Sequence, residues 1–140
     1  MLRNFLFPSW PADTKSSVWL LAARIIFGAL LMSHGIQKCM QFDMLSTVFP
    51  DPLGIGSQTS LMLAVFAELL CSAAFIAGFL YRLAMLPMIF TMGVAFFAVH
   101  ANDPFAVREL ALNYLCVFVL LYIAGPGRFA VDRLFVEKRP

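Results

Sequence analysis

Charge is scarce in this chain: 13% of its 140 residues are Asp, Glu, Lys or Arg, about half the share usual in soluble domains. With 61% hydrophobic residues and a mean hydropathy of +0.85, it holds more apolar surface than one small core can hide. A water-bathed globule is excluded, and the solvent must be lipid. Cysteine is sparse too. Cys39, Cys71 and Cys116 form no C-x-x-C pair, which leaves a thioredoxin-like or quinone-reducing dithiol without support. Cys71 and Cys116 read as small apolar packing residues. Nor does any stretch announce a haem, flavin or iron-sulfur site.

What is present is organised as four apolar segments, at 18–36, 61–80, 83–99 and 110–125. Each comes close to the roughly 17 to 25 residues that cross a ~30 Å hydrocarbon core as a helix. The sequence therefore predicts an all-α integral membrane protein, a single four-transmembrane-helix bundle over 1–140. Its helices are expected at about 17–38, 59–80, 83–101 and 107–125, after an interfacial lead-in at 1–16 and before a tail at 126–140. Tyr81 and Arg82 alone separate the second and third segments, so a tight hairpin is expected there, whereas Asp43, Pro50, Asp51, Pro52, Gly54 and Gly56 mark a longer loop. Pro87 is tolerable inside a membrane helix because neighbours can satisfy the freed carbonyl. The first segment is read as a retained span: it begins after Pro8, Pro11 and Asp13, and no A-x-A-like site follows it.

Lys and Arg set the expected orientation. Arg3, Lys15, Arg82, Arg128, Arg133, Lys138 and Arg139 fall in the two tails and the hairpin, while the other loops hold only Lys38 at a margin. The positive-inside rule then puts both termini in the cytoplasm. The net charge of +2 expresses topology, and no nucleic-acid patch is indicated.

Polar residues inside membrane helices are costly, so they usually face the bundle interior as paired or functional groups. Here they are Arg24, His34, Glu68, His100, Arg108, Glu109 and Asn113. Counting ~1.5 Å per residue from the expected cytoplasmic ends puts Arg24 ~10 Å deep, Glu68 and Asn113 ~18 Å, and His34, His100 and Glu109 ~25 Å. On the first helix Arg24, Gly28, Leu31, Gly35 and Lys38 share one stripe, whose glycines suit close helix contact. An ion pair between Arg24 and Glu68 is feasible across the ~8 Å depth difference. In the outer layer, His34, His100 and Glu109 supply ligand types for a metal or groups for a proton relay. No two share a helix at ligand spacing, and no metal site is assigned.

These residues resemble the DoxX family of small four-helix bacterial membrane proteins. RIIFGALLMSHGIQK looks like its arginine and HG-x-x-K signature (Arg24, His34, Gly35, Lys38), and AELLCSAAFIAGFLYRLAMLPMI its glutamate, glycine and arginine pattern (Glu68, Gly78, Arg82). RELALNYL followed by GPGRFAVD resembles the fourth-helix glutamate, Glu109, and the G-P-G-R ending with Asp132. Phe129 and Ala130 depart from the hydroxyl-bearing residues the family often shows after G-P-G-R. The GPGRFAVD stretch also has a plain reading, with helix termination at Gly125 to Gly127, headgroup anchoring by Arg128 and Arg133, and Asp132 as a cap or ion-pair partner.

The resemblance implies a bacterial inner-membrane location and kinship with the small membrane subunit of thiosulfate:quinone oxidoreductase. On that footing the expected function is an accessory or quinone-linked subunit of a membrane oxidoreductase. The bundle would present Arg24, Glu68, His34, Lys38 and Glu109 to a quinone or to a partner subunit. Two other readings stand beside it: a transport or lipid-handling protein working as a homo-oligomer, and a scaffold in which buried charges fix helix register.

Overall fold

The structure, a computed structural model, describes residues 13–137. The lead-in aromatics of FLFPSW, together with Arg3, Lys138 and Arg139, lie outside the described residues. Helix α1 spans Thr14–Met40, a short α2 spans Phe42–Leu45, α3 spans Ser57–Ala77, α4 Tyr81–Val99, α5 Phe105–Ala124, and α6 Asp132–Glu137. Four of them, α1, α3, α4 and α5, are long and apolar enough to cross a membrane, and the described residues contain no strand. The four run alternately up and down. One end, the hairpin end, holds the start of α1, the α3–α4 turn and the close of α5; the other, the loop end, holds residues 41–56 and 100–104.

Outward faces are apolar. Trp19, Phe90, Leu120 and Ile123 are all more than half exposed, which suits hydrocarbon and would be a liability in water. Inside, Phe75 stacks on Tyr81 with ring centroids 5.5 Å apart and meets Phe118 edge-on at 5.6 Å. Leu31, Met85 and Met88 fill the space around these rings. Against this core α1 lays the stripe expected for it: Arg24, Gly28, Leu31 and Gly35 are its buried residues, with Ser17 at the foot. At Gly35 the absence of a side chain is required, because a Cβ there would stand 2.7 Å from the backbone of both Glu68 and Leu69.

Two helices carry wide π turns, Phe66–Cys71 in α3 and Ala95–Val99 in α4. Periodicity at 100° per residue cannot reveal such turns, which often mark functional positions.

At the hairpin end the chain departs from the simple tail expected for 126–140. The turn is Gly78, Phe79 and Leu80, earlier than the Tyr81 and Arg82 expected, and both of those residues belong to α4. Gly78 and Leu80 are left-handed (φ 69° and 45°). Residues 125–132 then fold back across the bundle, with Gly125, Pro126, Gly127, Ala130 and Asp132 all buried. This segment settles unpaired groups at two helix ends, the close of α3 and the start of α4. The N–H groups of Val131 and Asp132 donate to the carbonyls of Ala77 and Gly78, at 3.2 and 3.0 Å. The Asp132 carboxylate accepts the N–H groups of Leu80 and Tyr81, at 2.7 and 2.9 Å, and so caps α4. Burial pushes the Asp132 carboxyl up, while those two N–H groups and the Arg24 charge pull the other way. The Tyr81 hydroxyl donates to the Leu121 carbonyl at 2.9 Å.

At the loop end, the N-cap position of α3 is Gly56 (φ 97°), which has no side chain to cap with. Asp51 supplies the cap instead. Its carboxylate accepts the N–H groups of Ile55 and Gly56, at 3.0 and 2.8 Å, and the Ser60 hydroxyl at 2.8 Å. The Gly56 bond above all holds this carboxyl below its usual range.

Candidate functional site

Arg24 and Glu68 do not pair. The Arg24 guanidinium, 1% exposed, donates to three carbonyls: Pro126 at 2.6 Å, Ile76 at 2.8 Å and Phe129 at 3.0 Å. Glu68, 4% exposed, takes Lys38 instead, with Nζ 2.5 Å from Oε2. Side-chain direction explains the exchange. Side chains on a helix lean toward its N-terminus, so Arg24 and Lys38 on α1 both lean toward the hairpin end. Glu68 sits on the antiparallel α3 and leans toward the loop end. Lys38 and Glu68 therefore converge while Arg24 and Glu68 diverge. Depth alone, the quantity read from the sequence, favoured the wrong cation.

The Lys38–Glu68 pair stands where α1 and α3 touch most closely. Gly35, one turn before Lys38, lets the α1 backbone rest on that of Glu68, and Glu68 lies within the wide turn Phe66–Cys71. The carboxylate has two oxygens, and Oε2 holds the lysine.

This pair forms part of the wall of a half-open furrow of about 990 Å³ between α3 and α4, which the loop residues Phe49 to Ile55 cover at one end. Its lining is overwhelmingly apolar, and its polar members are Lys38, Ser60, Glu68, Thr91 and His100. A concave, mostly apolar cavity with a few convergent polar groups is the usual form of a small-molecule site.

The outer layer is not drawn together as expected. His34 faces Tyr114 edge-on, ring centroids 6.1 Å apart, and His100 Nδ1 lies 2.7 Å from the Asp103 carboxylate. Glu109 and Asn113 are exposed on α5. Arg108 donates to the Ala101 carbonyl at 3.0 Å and lies over the Phe96 ring at 4.2 Å. Among the described residues no three His, Cys, Asp or Glu side chains are grouped to hold a metal ion. Two residues carry only weak sequence signals: Asp51, whose capping role shows in nothing but the Pro50 to Gly56 turn chemistry, and Tyr81, which the hairpin pattern places between the helices.

A family model described as DoxX matches residues 19–101. A relative from Mycobacterium tuberculosis, described as an uncharacterized membrane protein, is 28% identical over 145 aligned residues, covering 90% of this chain and 88% of its own length. No solved structure matches.

Proposed function

From a chain that belongs to the DoxX family of membrane proteins, we propose a quinone-linked subunit of a bacterial inner-membrane oxidoreductase complex, with the α3–α4 furrow as its ligand site. One observation carries this reading: a paired ammonium and carboxylate stand in the wall of a large, half-open apolar furrow between two helices long and apolar enough to cross a membrane. Intramembrane ionisable groups are retained at a cost and usually mark ligand or proton sites. The residues fit a quinone in kind, since an apolar body matches the lining and its oxygens need a hydrogen-bond donor and an acceptor. When bound, a quinone supplies a carrier for two electrons and two protons. Lys38 offers N–H donors to such an oxygen. Glu68 offers Oε1 as a hydrogen-bond acceptor while Oε2 keeps the lysine. Arg24, spent on three carbonyls, is a structural clasp in this account. His34 and Glu109 lie outside the furrow lining.

The test is Glu68→Gln, which keeps shape and removes the charge that pairs with Lys38. The variant should insert and purify as the parent does, yet lower quinone reduction by membranes carrying the complex at least about tenfold, an effect of ~1.4 kcal/mol. Unchanged activity would count against the reading.

A further inference from the structure

The furrow is polarised along its length. Lining residues on α4 run from Leu83 to Val99, ~24 Å of helix and most of a ~30 Å hydrocarbon core. Every charged or hydroxyl-bearing group in the lining lies from mid-height toward the loop end: Glu68, Lys38, Thr91, Ser60 and His100. The hairpin half, walled by Ala74, Phe79, Leu83, Ala84 and Leu86, has none. The ammonium in the lining is already matched within the protein, Lys38 by Glu68, and His100 Nδ1 lies within hydrogen-bond distance of the Asp103 carboxylate. An anionic head would have to compete with the carboxylate already on Lys38.

We infer that the furrow takes a single-chained lipid with an uncharged head, a long-tailed quinone, its head at the Lys38–Glu68 pair and its chain lying in the hairpin half. This rests on the function proposed above and adds to it the ligand's tail, charge class and direction. The furrow's length calls for a chain, its one-ended polarity sets the direction, and its matched charges select an uncharged head over a fatty acid or phospholipid. Because the chain would otherwise sit in lipid, close packing supplies the tail's preference for the furrow.

The test is equilibrium binding to the full chain in phosphatidylcholine nanodiscs, read by native mass spectrometry. Probes are a decyl-tailed quinone, the same head without a tail, and palmitate, all at equal mole fraction in the bilayer. The tailed quinone should bind roughly tenfold more tightly than the tailless head (~1.4 kcal/mol) and displace palmitate. Ala74→Phe, which narrows the hairpin half, should erase that difference while leaving the tailless head unaffected. Leu86→Ala, at an exposed position, should weaken the tailed probe alone and guards against misfolding of the first variant. Equal binding with and without the tail, insensitive to both variants, would overturn this inference and leave the quinone reading standing. Preference for palmitate would also overturn it. Failure of both quinones to bind would overturn the functional reading itself, and this inference with it.

Discussion

Lys38 and Glu68 show what a residue type at a known depth can and cannot convey. That Glu68 needs a partner was legible, because a lone carboxylate in hydrocarbon takes up a proton. Which partner was not, because the choice turned on which way α1 side chains lean relative to α3. The pair makes a direct prediction. Lys38→Met leaves the buried Glu68 carboxyl without its partner, so a loss of stability in detergent of ~1–3 kcal/mol is expected. The double variant Lys38→Met with Glu68→Gln should recover most of it in thermal unfolding, and additive losses would show that the two do not interact. Gly35→Ala puts a Cβ 2.7 Å from rigid backbone, so α1 and α3 must separate. A Tm decrease with weakened quinone binding is expected, since overpacking costs ~1–3 kcal/mol.

Elements were legible as far as hydropathy reaches. Four apolar runs became four helices, but the π turns at Phe66–Cys71 and Ala95–Val99 leave no mark in composition, and the GPGRFAVD stretch read mainly as a stop and an anchor. In the structure that stretch seals the hairpin end, with Arg24 holding its carbonyls and Asp132 capping α4. Capping by Asp132 was one of the alternatives readable beforehand, whereas the Arg24 clasp requires contact across 102 residues of chain. Asp132→Ala should cost about 1–2 kcal/mol through the lost cap, seen as a lower Tm. Arg24→Lys puts its donors on one nearer nitrogen in place of the two guanidinium nitrogens that now hold the carbonyls, so protease should cut the 126–132 segment faster than in the parent, and equal cutting would argue against the clasp. At the loop end the Asp51 carboxyl is held below its usual range, mainly by the Gly56 N–H. Its ordering of the loop is therefore complete above the ordinary carboxylate range and lost as pH falls through the lowered folded value. Hydrogen exchange at Ile55 and Gly56, corrected for intrinsic rate, should rise only in that acid window, and in Asp51→Asn should be raised at neutral pH as well.

For the whole molecule, length and hydropathy conveyed the fold class, but the furrow was hidden because it arises between α3 and α4 and beneath a loop, not within any one segment. We propose that the hairpin end, carrying Lys15, Arg82, Arg128 and Arg133, faces the cytoplasm. Exposed Cys39 at the loop end should then react with a membrane-impermeant maleimide in intact spheroplasts, and protection there until the membrane is broken would reverse the orientation. We propose the furrow as the ligand site and the Lys38–Glu68 pair as its polar anchor. Photo-crosslinking with a head-labelled azidoquinone, followed by peptide mass spectrometry, tests it most directly. The label should fall on α3 and α4 near Glu68 and Thr91 and fade in Lys38→Met; label concentrated on the lipid face of α5, indifferent to that variant, would contradict the claim.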